Sequence, residues 1–152
     1  MRGRSYIMST REQLLAKIQA QVEQDPDTPP VVRLDEYFSG NTDEGCIAPN
    51  QLGFGRPSLA DLYARFKAIQ AKPNVQAVLV GIHGDWSEAL NDPELWPAAE
   101  NVHIYTTASE GEVEDWIAGL ESDGASEGWP YGMHPAAPKL KAGYRVMTVY
   151  WD

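Results

Sequence analysis

The chain is short of the features that mark secreted or membrane-spanning proteins. One cysteine among 152 residues cannot form an internal disulfide, so the sequence gives no sign of an oxidising compartment. No apolar run approaches the roughly 20 residues that a transmembrane helix needs. The start, MRGRSYIMSTREQ, has two arginines but lacks the apolar segment of a secretory signal. These absences predict a cytoplasmic protein without a membrane partner.

Basic residues are missing from one long segment. No lysine or arginine occurs from 73 to 138, and the net charge of the whole chain is −10. Such a negative field repels phosphate backbones, which argues against nucleic acid as a partner. Two interpretations are open: a solvated surface that keeps the protein soluble, or electrostatic steering toward a basic partner protein. The segment contains twelve acids: Asp85, Glu88, Asp92, Glu94, Glu100, Glu110, Glu112, Glu114, Asp115, Glu121, Asp123 and Glu127.

The length predicts one domain that can bury a sizeable core. Residues 1–8 are interpreted as an expression tag or a disordered start, and residues 9–152 as a single α+β domain. Three helices have start signals, in which a serine is followed three residues later by an acid. The three pairs are Ser9 with Glu12, Ser58 with Asp61, and Ser109 with Glu112.

Strand-like patterns lie between and around these helices. The resulting order predicts an α+β fold with a four-stranded, mainly antiparallel sheet in the ferredoxin-like βαββαβ order and an extra N-terminal helix. One feature disagrees with that order, because 75–83 is the most apolar segment although this fold places it at an edge. Either the N-terminal helix or a partner covers this strand, or the strand order differs. The predicted strands are 31–38, 75–83, 101–107 and 144–151.

Cys46 lies in the stretch NTDEGCIAPN and is the candidate nucleophile. A nucleophilic cysteine needs a nearby base and a lowered pKa. Asp43 and Glu44 would instead raise the pKa of the thiol, and no histidine is close in sequence. The alternative is a turn with one small, inward-facing thiol, and we expect this alternative to hold.

Metal and cofactor sites are not indicated by any spacing. One cysteine and three scattered histidines do not make a zinc site, and NTDEG lacks the full EF-hand pattern. The stretch GFGRPS (53–58) places Arg56 before a helix, where an anion could bind, but it matches neither a P-loop nor a dinucleotide fingerprint. We therefore predict no metal, no cofactor and no assigned catalytic residue.

Three long connections carry apolar residues, at 39–57, 84–100 and 121–143, and the second and third of them contain three of the five tryptophans among acids. Their apolar residues can anchor the loops to the domain, which is the commoner role, or contact a partner, since Trp and Tyr dominate interface energetics. For the second role the sequence predicts these partner-binding residues: Asp85, Trp86, Glu88, Asp92, Glu94, Trp96, Glu127, Trp129 and Tyr131.

Several segments together resemble a known family. The segments DEGCIAPN, PNVQAVLVGI, ELWPAAENVHIYTT, VEDWIAGLESD, EGWPYG and RVMTVYWD resemble a family of small, acidic, uncharacterised bacterial proteins over about residues 31–152. That resemblance supplies no catalytic residues. In size, acidity and tryptophan content the chain is also similar to bacterial toxin-immunity proteins.

Three functions are compatible with the sequence. The first is a non-enzymatic protein that binds a basic partner through its acidic, aromatic loops, with an immunity protein that neutralises a basic toxin as the most concrete case. The second is a small hydrolase-type enzyme in a loop cleft, with Cys46, Asp43 and His134 as candidate groups. The third is a homodimeric structural domain that pairs through an uncovered sheet face, so both a monomer and a homodimer remain open.

Overall fold

A computed structural model describes residues 7–152. Most of the predicted tag or disordered start at 1–8 therefore lies outside the described residues. Within 7–152 the chain forms a five-stranded open sheet with helices, rather than the predicted four strands. The helices are α1 (Thr10–Gln24), α2 (Leu34–Phe38), α3 (Leu59–Gln70) and α4 (Glu110–Trp116), with short 3₁₀ helices at Glu44–Cys46, Pro49–Gln51 and Gly84–Leu90.

The strands are antiparallel to every neighbour, in the order β1-β2-β3-β5-β4. The ferredoxin-like prediction is not confirmed, because β1 lies antiparallel beside β2 and makes no parallel pair with a later strand. This order places β2 between β1 and β3, which accounts for its apolar sequence. The strands are β1 (Val31–Arg33), β2 (Val75–Ile82), β3 (Ala99–Thr106), β4 (Gly124–Glu127) and β5 (Arg145–Tyr150).

The predicted strand 31–38 is wrong beyond residue 33. Leu34, Tyr37 and Phe38 are all buried, and their i, i+3, i+4 spacing is that of one helix face. The Glu36 carboxylate accepts a hydrogen bond from the Arg33 backbone N–H at 2.8 Å, which satisfies a donor at the start of α2. The run VVRLDEYF therefore divides into a short strand and a short helix.

The three predicted helix starts are confirmed. Ser9 and Ser109 each accept a hydrogen bond from the backbone of the acid three residues later, and each acid accepts one from the serine backbone. Ser58 accepts a hydrogen bond from the Asp61 N–H at 3.1 Å. These caps stabilise the helices by about 1 kcal/mol each.

The two faces of the sheet are covered differently. The face here called the apolar face carries Val78, Val80, Val102, Ile104, Met147 and Val149 and packs against buried residues of all four α-helices. The opposite face, here called the second face, is covered by the segment 128–143, whose Trp129 and Leu140 pack against a small apolar cluster. The second face carries Leu79, Gly81, Asn101, His103, Tyr105, Val146 and Thr148.

The edges of the sheet are short. β4 was predicted as part of a loop because GASE has no apolar alternation, yet it pairs with β5 from Gly124 to Glu127. At the other edge, the Gln21 side chain accepts from the Val31 N–H and donates to the Val31 carbonyl, each at 2.8 Å. Both features limit pairing with another chain. Within residues 7–152 every helix is too short or too polar to span a bilayer.

Candidate functional site

A cleft of about 670 Å³ opens at one end of the sheet. It lies where β2 and β5 end and β3 begins, and the two loops 45–50 and 83–88 form part of its walls. Its size is within the range of small-ligand sites, about 300–1,000 Å³. This cleft is the candidate functional site.

Negatively charged residues line the cleft. Asp85, Glu88, Glu100 and Asp152 are among the lining residues, and no lysine or arginine from the described part of the chain joins them. His83 also lines it, with Nδ1 accepting a hydrogen bond from the Asp85 N–H at 2.9 Å. Walls of low dielectric constant concentrate the field of such carboxylates. The cleft is therefore suited to a cationic group.

Two tyrosines stand at the cleft with much of their surface exposed. The exposed fractions are 59% for Tyr131 and 39% for Tyr150, whereas Trp151 beside them is buried and donates its indole N–H to the Leu120 carbonyl at 3.1 Å. An exposed phenol ring offers apolar area, a hydroxyl group and a face that attracts cations. The cleft thus combines negative charge with aromatic surface.

Cys46 lines the cleft but is only 3% exposed. Burial raises the pKa of its thiol to about 11, against smaller lowering contributions from hydrogen bonds to Tyr37 and Asn41. The Asn41 amide donates to Sγ at 3.3 Å. A thiol held protonated is a weak nucleophile. The structure supports the expected turn with an inward-facing thiol.

The other two groups of the enzyme hypothesis hold the local structure in place. His134 is fully buried; its Nε2 bonds to the Gln21 carbonyl at 2.8 Å, and its Nδ1 accepts from the Ala136 N–H at 2.9 Å. The Asp43 carboxylate accepts from the N–H groups of Gly45 and Trp96. Both imidazole nitrogens of His134 and both carboxylate oxygens of Asp43 are engaged in hydrogen bonds, so neither of these two groups is free to act as a base for Cys46.

The residues predicted to bind a partner fall into three groups. Asp85, Glu88 and Tyr131 line the cleft. Trp86 and Trp96 are buried in the main core. They therefore anchor their loops to the domain, which is the other role that the sequence allowed. Trp96 Nε1 is the one enclosed side-chain polar atom in residues 7–152 that has no hydrogen-bond partner.

The remaining predicted residues lie outside the cleft lining. Trp129 is half-buried and packs against His103, with ring centroids 4.3 Å apart. Glu127 is exposed and pairs with Arg145 at 2.9 Å. The Asp92 carboxylate accepts from the Glu94 N–H at 2.9 Å, while Arg11 holds this loop by donating to the carbonyls of Ala89, Asp92 and Leu95.

A polar strip on the second face was not predicted. Asn101 and Thr148 line the inner end of the cleft, and His103 lies next to them beneath Trp129. His103 Nδ1 and Thr148 Oγ1 are 2.7 Å apart, and Oγ1 donates to the Gly128 carbonyl at 2.7 Å. The sequence signal was present: His103 alternates with Val102 and Ile104, which places it on the face opposite the main core.

A narrow crevice adjoins the cleft along this strip. It lies between Pro29 and Val31 on one side and the segment 129–132 on the other, and it has room for a single water-sized group, about 10 Å³. Glu100, Asn101, Pro130 and Tyr131 line both the cleft and the crevice. The two spaces therefore meet at Asn101.

The candidate anion and metal sites have other structural explanations. The Arg56 guanidinium is buried and donates to the Glu44 carboxylate and to the carbonyls of Glu44, Ile47 and Pro57. It therefore ties the loop 44–57 together, with no N–H directed to an external anion. Across residues 7–152 no three His, Cys, Asp or Glu side chains are grouped so as to hold a metal ion.

Comparison with known proteins places the chain among bacterial relatives. The model of the family described as Uncharacterized protein YfbO family matches residues 9–149. The chain is 32% identical over 129 residues to the protein called Uncharacterized protein YfbO of Escherichia coli strain K12, covering 84% of this chain and 86% of the relative. No solved structure matches the chain. The chain belongs to the Uncharacterized protein YfbO family.

Proposed function

We propose that this protein is a non-enzymatic binding protein whose acidic cleft receives a cationic side chain of a basic partner protein. The observation that carries the proposal is the lining of the 670 Å³ cleft, in which four acidic residues occur without any lysine or arginine of the described chain. A lysine or arginine side chain that enters the cleft would therefore come from outside the residues that line it. A lysine- or arginine-bearing segment supplies that charge.

The charge of the whole chain supports the same partner. With 22 acids, 12 basic residues and a net charge of −10, the protein attracts cations over long range. The potential extends about 30 Å at 0.01 M salt but about 8 Å at physiological ionic strength. Complementary charge raises association rates and discriminates against acidic partners.

Two tyrosines at the cleft supply apolar contact area for a partner. Tyr131 and Tyr150 are exposed at the cleft, and tyrosines contribute strongly to interface energetics. The proposed interface takes from the predicted partner-binding set the residues that line the cleft, Asp85, Glu88 and Tyr131, and adds Glu100 and Tyr150 to them. Neutralisation of a basic toxin, as by an immunity protein, is the most concrete form of this proposal.

The two other functions have less support. In the enzyme alternative Cys46 would need a base, but the imidazole of His134 and the carboxylate of Asp43 are both engaged elsewhere. In the homodimer alternative a sheet face would have to be open, but residues 128–143 cover the second face. Light scattering at high concentration measures the oligomeric state directly.

The experiment measures binding of a blocked heptapeptide that alternates glycine with lysine and arginine. Calorimetry on the full chain should give binding that weakens steeply as salt rises. Replacing Asp85→Asn, Glu88→Gln and Glu100→Gln together should weaken binding about tenfold, since three exposed charge pairs contribute about 0.5 kcal/mol each.

A matched control separates the cleft from the overall charge. The triple variant Glu23→Gln, Glu110→Gln and Asp115→Asn makes the same change in net charge with exposed acids outside the cleft lining. It should bind the peptide within about twofold of the natural chain. Equal losses in the two triple variants would mean that the net charge, and not the cleft, attracts the peptide, which would refute the proposal.

A further inference from the structure

We propose that the junction of the cleft and the crevice is a subsite for a primary ammonium group, so that the cleft selects a lysine side chain over arginine; this rests on the proposed function. The subsite is formed by the Asn101 side-chain oxygen, His103 Nε2 and the neighbouring Glu100. All three are hydrogen-bond acceptors when His103 is neutral with its proton on Nδ1.

The hydrogen bonds around His103 decide which nitrogen carries the proton. The Gly128 carbonyl can only accept, so the Thr148 hydroxyl gives its single proton to that oxygen. Thr148 Oγ1 must then accept from His103 Nδ1, which lies 2.7 Å away. The imidazole is left with a bare lone pair on Nε2. Burial lowers the pKa of His103 to about 3, which keeps the ring neutral at physiological pH.

Two nearly buried polar side chains at this junction carry atoms without a hydrogen-bond partner in the described chain. Asn101 is 3% exposed and His103 is 4% exposed. Among residues 7–152, neither the Asn101 amide nor His103 Nε2 forms a hydrogen bond with another part of the chain. Neither atom is fully enclosed, because Trp96 Nε1 is the one enclosed side-chain polar atom without a partner in residues 7–152. Both atoms therefore keep access to the cleft. Since more than nine in ten buried polar groups are hydrogen-bonded in folded proteins, two neighbours that lack a partner in the described chain indicate a site for an external donor.

Gly81 makes room for these two acceptors. A Cβ atom at this position would lie 2.1 Å from Asn101 Oδ1 and 2.8 Å from His103 Nε2. Both acceptor atoms therefore converge above the backbone of Gly81, where any larger residue would displace them. Gly81 itself also lines the crevice.

The size of the crevice favours ammonium over guanidinium. Its volume of about 10 Å³ accommodates one water-sized group. A lysine head group is a compact charge with three donors, whereas the arginine head group is planar and broader. The acidic cleft accommodates the approach of either cation, but only the ammonium can reach the two buried acceptors.

The test compares two blocked heptapeptides that alternate glycine with three lysines or three arginines. On the natural chain we expect the lysine peptide to bind about tenfold more tightly, as one charge-assisted hydrogen bond predicts. In Asn101→Leu the preference should disappear, while affinity for the arginine peptide stays within about twofold. Asn91→Leu is the matched control, because Asn91 is exposed and lies outside the cleft lining.

Two further measurements keep the test decisive if Asn101→Leu folds poorly. Asn101→Asp preserves the shape and adds a negative charge, so it should increase the preference for the lysine peptide. In ¹⁵N NMR spectra of the natural chain, the unprotonated Nε2 signal of His103 should shift with the lysine peptide and remain in place with the arginine peptide.

The outcomes separate this inference from the proposed function. Equal affinities for the two peptides with an unmoved Nε2 signal would show that only water occupies the junction, and would overturn the inference while leaving the cleft as a cation site. No binding of either peptide would remove the proposed function, and the inference with it.

Discussion

The two faces of the sheet are formed by the same strands, but their side chains are of different kinds. On the apolar face, Val102 and Ile104 of β3 pack in a continuous core with helices α1 to α4. On the second face, His103 and Asn101 of the same strand lie beneath the segment 128–143, and each has a polar atom that bonds to no other group of residues 7–152. Alternation along one strand produces both environments.

This difference concerns stability first. Burial of apolar side chains is the main favourable contribution to folding, and it is concentrated on the apolar face. Asn101 and His103 occupy positions on the second face where apolar side chains could pack, so that face contributes less apolar burial to stability. We infer that the apolar face stabilises the fold sufficiently for the second face to retain this polar strip.

The largest expected effect is a loss of stability on the apolar face. Phe66 of α3 is fully buried and packs against Trp151 with ring centroids 6.4 Å apart. Phe66→Ala should lower the free energy of unfolding by about 3–5 kcal/mol, because it removes buried area and leaves a cavity. Urea denaturation measures the change. A loss below about 1 kcal/mol would contradict the assignment of stability to this face.

The second expected effect is a pH dependence that comes from the second face. The folded protein holds the pKa of His103 near 3, below the ordinary 6.5. The unfolded chain therefore binds a proton that the folded chain does not. Stability from this group is complete above about pH 6.5 and decreases as pH falls toward 3. Between about pH 7.5 and pH 5 the loss should be about 2 kcal/mol.

Denaturation curves at several pH values measure this slope. Asp35 and Glu36 also have lowered pKa values in the folded protein, from 3.8 and 4.5. Their contribution to stability is lost only in stronger acid, so measurements above pH 5 report mainly on His103. His103→Leu removes the titrating group and should flatten the curve in this window. An unchanged slope in that variant would assign the effect to other residues.

The smallest expected effect is the coupling between Gly81 and Asn101. Gly81→Ala places a methyl group against Asn101 Oδ1 and should destabilise the protein by about 1–3 kcal/mol. In the Asn101→Ala background part of that clash is absent, so the same change should cost about 1 kcal/mol less. A double-mutant cycle by urea denaturation gives the coupling. Additive losses would show that the two side chains do not share this space.

The sequence predicted the elements that depend on local chemistry. The caps at Ser9, Ser58 and Ser109 require only a side chain and a nearby backbone N–H, and all three were predicted correctly. The error at α2 arose because a short apolar run fits both a strand and a helix. β4 was missed because Gly124 to Glu127 becomes a strand through pairing with β5 rather than through its own pattern.

The site was predicted only in part. The acids and Tyr131 were identified from charge and composition, and Asp85, Glu88 and Tyr131 do line the cleft. Trp86 and Trp96 have the same local signal but are buried. Sequence cannot separate an anchor from an exposed contact, because burial depends on what packs against the side chain.

The sequence by itself determined the acidity, the absence of basic residues from 73 to 138 and the helix starts, because these follow from composition and from contacts between near neighbours. Only the tertiary structure decided the strand order, the cleft and the meeting of Gly81, Asn101 and His103. Those features join residues from strands, 3₁₀ helices and loops that are distant along the chain. Their proximity is set by the packing of the sheet, which no local pattern specifies.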